Sequence, residues 1–176
     1  SEVDGAPQNL DQHHDLARRA AEGGAVLLKN DNNALPLNKG QKVAVIGALA
    51  KQIRYQGSGS SHINPPKTVS FTEAMRNEGQ SFAYAPGYTL KGDGYNKKLI
   101  DEACKVAKGK KAVLVFVGLT DEYETEGNDR SHISLPESHN ALVDAVCAVC
   151  EKVVVVLSGG CPVTMPWLDK VDAVLN

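Results

Sequence analysis

Three short apolar runs stand out along the chain, at residues 43–46, 112–117 and 153–157. None of them alternates with polar residues. A strand with one wet face alternates, whereas a strand covered on both faces reads as an unbroken apolar run. Between these runs the pattern changes to helical spacing. Leu16, Ala17, Ala20 and Ala21 predict a helix over 11–24, stopped by Gly23 and Gly24. Leu99, Ile100, Ala103 and Val106 predict a helix over 96–108, and Leu142, Val143, Val146 and Val149 one that opens at the Ser134–Glu137 sequence and runs to about Glu151. Two Ser-x-x-Glu sequences, Ser70 to Glu73 and Ser134 to Glu137, read as capping boxes, the first opening a short helix to about Glu78. Residues 82–84 and 172–175 complete the set as further strands. Residues 25–28 fit a short strand or the end of the first helix, and 29–33 a polar turn. Strands alternating with helices, with both strand faces apolar, predict an α/β fold. It is expected to be a three-layer sandwich with a mostly parallel sheet between helices.

In such sheets ligands bind beyond the carboxyl ends of the strands. Two loops lie there, 56–66 and 120–134. The first contains Gly57-Ser-Gly-Ser-Ser-His62, a hydroxyl-rich backbone suited to a neutral polyol or simply to a linking loop. It is not a dinucleotide fingerprint, since His62 stands where the third Gly belongs, and no Gly-Lys-Ser/Thr follows to make a phosphate loop. No Gly-x-Ser-x-Gly elbow offers a nucleophilic serine. The second loop places five carboxylates in nine residues: Asp121, Glu122, Glu124, Glu126 and Asp129. A calcium loop starting at Glu122 would put Ile133 where a bidentate Glu is required, so that reading fails. Acid/base chemistry by one raised carboxyl remains, beside a plain solvated loop with Arg130 as its counter-ion.

Composition narrows the classes further. Hydrophobic residues make up 42% and charged residues 23% of 176, ordinary for a folded globular domain. The net charge is −2, so no whole-molecule field attracts nucleic acid, and no apolar run approaches the length of a membrane span. Cys147 and Cys150 form a C-x-x-C inside an apolar helical pattern, with no second pair at zinc spacing. The four cysteines read as reduced, mostly buried thiols and lean towards a reducing compartment. His62 and His132 follow the two loops and read as surface residues, and Trp167 as packing or a sugar platform. The start at Ser1 and the final strand-like Val171 to Asn176 read as cut ends, so a fragment is expected.

Four segments together carry a resemblance: residues 17–37, Lys42-Val-Ala-Val-Ile-Gly47, Tyr55-Gln-Gly-Ser-Gly-Ser-Ser-His62, and Glu124-Thr-Glu-Gly-Asn-Asp-Arg130 followed by Leu135-Pro136. Residues 155–160 and Trp167 also fit. In this order they resemble the second domain of glycoside hydrolase family 3, the β-glucosidase and β-xylosidase family. The resemblance covers nearly the whole chain. It implies that residues 1–40 are a linker and helix following a (β/α)8 barrel, and that 41–176 are a sandwich domain cut short at its end.

The resemblance also implies a retaining β-glycosidase acting on terminal β-linked sugars, with no cofactor and no metal. The nucleophilic Asp would lie on the barrel, so this chain alone is expected to be inactive. The acid/base is the Glu before the Gly, Glu126. The sugar-facing serine maps best to Ser60, with Ser58 and Ser61 as alternatives. Asp129 and Arg130 would hold the loop, and Gly127 would let it bend. The partners implied are the barrel and a β-glucoside, with neither nucleic acid nor membrane. Alone, Glu126 is expected to be an exposed carboxylate with ordinary acidity. A second class stays open: a non-catalytic α/β module that binds a sugar or a protein.

Overall fold

A computed structural model describes residues 9–92, 95–127 and 129–176. Helix α1 spans Leu10–Gly24, and strand β1 spans Leu27–Asn30. Strand β2 (Val43–Ile46), helix α2 (Phe71–Asn77) and strand β3 (Phe82–Ala85) follow. Then come α3 (Lys97–Ala107), β4 (Ala112–Gly118), α4 (Glu137–Cys147), β5 (Val153–Ser158) and β6 (Ala173–Leu175). One six-stranded sheet runs in the order β1-β6-β5-β4-β2-β3. All neighbours are parallel except β1, which runs antiparallel to β6 at the edge.

The unbroken apolar runs lie where their pattern requires. Every residue of β2 and β4 is buried. Helices α3 and α4 pack side by side, burying Ile100, Ala103 and Ala107 from one and Leu142, Val143 and Val146 from the other. Each fully buried Ile, Leu or Val side chain among these is worth roughly 1.5–3 kcal/mol. Helix α2 leads from β2 outward to β3, and α3 leads back across β2. Right-handed crossovers in opposite directions put them on opposite faces, which makes the three layers. Phe71 of α2 packs on Phe116 of β4, with ring centroids 4.7 Å apart. Trp167 is fully buried and donates from Nε1 to Asn140 Oδ1 at 2.9 Å. It is packing, not a sugar platform.

Several local expectations need correction. Residues 29 and 30 belong to β1 rather than to a turn, because Val26 and Asn176 exchange backbone hydrogen bonds and zip the segment onto β6. The Ser134–Glu137 capping box does not form: Pro136 is the N-cap of α4 without a side-chain bond. Ser134 is drawn away into a parallel bridge with Thr164. Helix α4 stops at Cys147, since the chain must turn to start β5 at Val153. Helix α1 buries none of its residues. It is supported locally, by Asn9 Oδ1 accepting from the Gln12 N–H at 3.2 Å and by an Arg18–Glu22 pair one turn apart. Cys161 is exposed and Cys104, Cys147 and Cys150 are half-buried, against the mostly buried thiols expected.

This connectivity decides where a site can be. The chain leaves β2 towards β3 on one side, and leaves β4 towards β5 on the other. The loops beyond β2 and β4 therefore diverge and open a crevice at the carboxyl ends of the strands.

Candidate functional site

The loop after β2 is built around two side chains. Gln56 closes its ends, with Oε1 accepting from the Ile63 N–H at 2.9 Å and Nε2 donating to the Ile63 carbonyl at 3.1 Å. Arg54 reaches out of it into the second loop. Its guanidinium donates to the carbonyls of Leu119, Thr120 and Glu124, and pairs with Glu124 at 2.8 Å and Asp121 at 3.5 Å. The side chain is only 9% exposed. Ser58 adds a further tie, its Oγ donating to the Glu124 carbonyl at 2.6 Å.

The five carboxylates thereby part company. Asp121 and Glu124 answer Arg54. Glu122 Oε2 accepts from the Gly92 N–H at 2.8 Å. Glu124 Oε1 also accepts from the Gly160 N–H at 2.8 Å, tying the loop to the turn after β5. The counter-ion of the loop is thus Arg54 of the facing loop, where Arg130 was the expected one. Arg130 Nη2 lies 3.5 Å from the Pro162 carbonyl, and its buried Nη1 has no partner among the described residues. Asp129 is exposed on the cleft wall. Gly127 takes φ +77°, a conformation that side chains other than glycine avoid.

Glu126 stands at the tip of the acidic loop, exposed. Its Oε1 accepts from Ser60 Oγ at 2.7 Å. Gly59 makes room for this contact: it has φ +97°, and a Cβ there would lie 2.8 Å from Glu126 Cδ. The hydrogen bonds from the Ser60 side chain, and then from its backbone, hold the Glu126 carboxyl below its usual range. That departs from the ordinary acidity expected of it. Ser60 is thus brought to Glu126, Ser58 to the loop root, and Ser61 to the cleft wall.

The two loops and the turn at Gly159–Cys161 enclose a cleft of about 780 Å³, open to solvent. That is the size of a small-molecule site. Glu126, Asp129 and Arg130 line it together with Ser58, Ser61 and Cys161. Among the described residues, no group of three or more His, Cys, Asp or Glu is placed to hold a metal ion.

Beneath the cleft a buried histidine supports the start of the acidic loop. His139 of α4 is 1% exposed, and its Nδ1 accepts from the Gly118 N–H at 3.3 Å. Its ring packs on Tyr88 at 3.8 Å between centroids. The Tyr88 hydroxyl in turn donates to the Phe116 carbonyl at 2.7 Å. Burial lowers the His139 pKa to about 4 and keeps the ring neutral. Neither Arg54 nor His139 carried a signal in the sequence. An isolated Arg before a Gly-Ser loop and a His on a helix face look like surface residues until the fold supplies their partners.

Comparison with known proteins agrees with this architecture. Residues 25–176 match the family model of the glycosyl hydrolase family 3 C-terminal domain. The chain is 48% identical over 174 residues to thermostable beta-glucosidase B of Acetivibrio thermocellus, covering 97% of this chain and 23% of that protein. It is 40% identical over 184 residues to an exo-alpha-(1->6)-L-arabinopyranosidase of Bifidobacterium longum, covering 99% and 24%. The crystal structure of a GH3 beta-glucosidase from Bifidobacterium adolescentis superposes with a TM-score of 0.94 at 39% identity, covering 99% of this chain and 26% of that one. The chain spans about a quarter of the length of these relatives.

Proposed function

Because the chain belongs to glycosyl hydrolase family 3, whose C-terminal domain it forms, we propose that it supplies the proton donor and acceptor of a retaining β-glycosidase. Glu126 is the acid/base, and the nucleophile stands on a barrel domain joined to this one. One observation carries the assignment. Asp121, Glu122 and Glu124 are engaged within the protein; Glu126 and Asp129 both line the cleft, and of these two Glu126 is the one met by the Ser60 hydroxyl of the facing loop. Ser60, bonded to that carboxylate, is the serine we assign to the sugar.

The chemistry requires a second domain. A retaining glycosidase holds two carboxyls about 5–5.5 Å apart, one attacking the sugar and one protonating the departing oxygen. The donor must carry its proton near neutral pH, yet the Glu126 carboxyl sits below its usual range. A docked barrel would expel water and bring a negative charge near, and both effects raise a carboxyl pKa. Alone, the chain has no means of doing so and is inactive. The full-length relatives are named for different sugars at comparable identity, a beta-glucosidase and an arabinopyranosidase. Selection among sugars therefore falls mainly outside this domain, and the substrate class is a terminal β-glucoside or an isostere of it.

The test is Glu126→Ala in the chain joined to its barrel. Hydrolysis of an alkyl β-glucoside, whose leaving group needs a proton, is expected to fall by about 10²–10⁴-fold. A dinitrophenyl glucoside, whose leaving group does not, should lose far less in kcat/KM. Unchanged hydrolysis of both would refute the assignment. A micromolar glucoside site on the isolated chain would instead favour the binding-module reading.

A further inference from the structure

Arg54 joins the two loops that form the cleft. It lies eight residues beyond the end of β2, four residues before Ser58 and six before Ser60. Its guanidinium serves three carbonyls and two carboxylates of the acidic loop at once. The pairing with Glu124 is largely desolvated, with the two side chains 9% and 14% exposed. Only one residue, Thr125, separates Glu124 from Glu126. Two extended residues span at most about 7 Å, so fixing Glu124 confines Glu126 to a small volume. Ser58 on the Glu124 carbonyl and Ser60 on the Glu126 carboxylate continue the same brace.

We propose that Arg54 is a positioning residue for the acid/base: it cross-links the two loops so that Glu126 meets the departing oxygen. This rests on the reading of Glu126 as the acid/base. The role needs a planar fork of donors. Nε faces Asp121, Nη1 faces Glu124 and the Leu119 and Thr120 carbonyls, and Nη2 faces the Glu124 carbonyl. A lysine ammonium is one point with three donors and cannot span these acceptors.

The experiment compares Arg54→Lys, Arg54→Met and Glu126→Ala in the chain joined to its barrel. It measures kcat/KM for an alkyl and for a dinitrophenyl β-glucoside, with a thermal melt of each variant. Displacing the donor by about 1 Å predicts a loss of about 100-fold on the alkyl glucoside in both Arg54 variants. The loss on the dinitrophenyl glucoside should be only about threefold or less, since that leaving group needs little acid assistance. A merely structural arginine would lower both substrates equally, and that result would overturn the proposal. If the Arg54 variants do not fold, Glu124→Gln weakens the same ion pair and keeps an acceptor for the Gly160 N–H. It should show the same split at about 10-fold, and an equal loss on both substrates would again overturn the proposal. A split in Glu126→Ala without one in these variants refutes Arg54 alone. No split in Glu126→Ala refutes the acid/base reading and the proposal with it.

Discussion

Two glutamates stand two residues apart in one loop and in opposite circumstances. Glu124, at the loop's root, is 14% exposed and answers Arg54 and the Gly160 N–H. Glu126, at the tip, is exposed and touches Ser60. Their chemistry as amino acids is the same. The difference comes from what the facing loop presents to each: a buried cation at the root and a serine hydroxyl at the tip. A carboxylate neutralised by a desolvated guanidinium is a fastening. One held by the neutral hydroxyl and backbone N–H of a serine can change its protonation when its surroundings change.

The comparison breaks first on stability. Glu124→Ala takes the nearer carboxylate from the desolvated Arg54 charge and leaves it the exposed Asp121 at 3.5 Å, and should cost about 3 kcal/mol. Glu126→Ala should leave the melting temperature unchanged. Equal melts for the two variants would erase the distinction.

The root should also respond to pH through His139. Its folded pKa, about 4, lies below the unfolded value of 6.5, so the unfolded chain binds the extra proton between these values. The associated stability is complete above pH 6.5 and falls as pH drops towards 4, by roughly 3 kcal/mol at most. His139→Gln should flatten that stretch of the curve in denaturant titrations. A curve identical to that of the parent would refute the assignment to His139.

Glycines sharpen the contrast at the tip. Gly59→Ala pushes a Cβ against Glu126 and should lower alkyl glucoside turnover about 10-fold. Gly127→Ala meets no neighbour among the described residues and carries the backbone strain of its positive φ, about 1–2 kcal/mol. Its stability should therefore suffer more than its leaving-group dependence. The smallest effect is at Ser60→Ala. Removing a hydrogen bond that lowers the Glu126 pKa raises it, so the alkaline limb of kcat/KM should move to higher pH. A carboxyl titration followed by NMR checks the same direction on the isolated chain, and a downward move would contradict the role given to Ser60.

Much of the fold was legible before any coordinates. The runs at 43–46, 112–117 and 153–157 are apolar without alternation, and a strand buried on both faces needs that composition whatever surrounds it. The Ser70–Glu73 capping box formed as read, with both reciprocal hydrogen bonds. Its twin at Ser134–Glu137 did not, because Ser134 found a partner in Thr164, thirty residues on in the chain. Strand β1 was half-hidden for a related reason. Lys29 and Asn30 are turn-like residues, and they are extended only because β6 lies alongside.

By itself the sequence determined the layer architecture and the two loops to inspect, since local periodicity is written along the chain, while Glu126 became a candidate only through the resemblance of its loop to family 3. The tertiary structure decided which carboxylates are fastenings, which cation fastens them, and that His139 and Tyr88 sit under the loop. Arg54 is 65 and 70 residues from the Leu119 and Glu124 carbonyls it binds, and His139 is 21 from the Gly118 N–H. Such pairings depend on the doubly wound order that opens one crevice between β2 and β4. The partners in question are polar groups whose charge state depends on desolvation. Desolvation is a property of assembled surroundings, and no spacing along the chain encodes it.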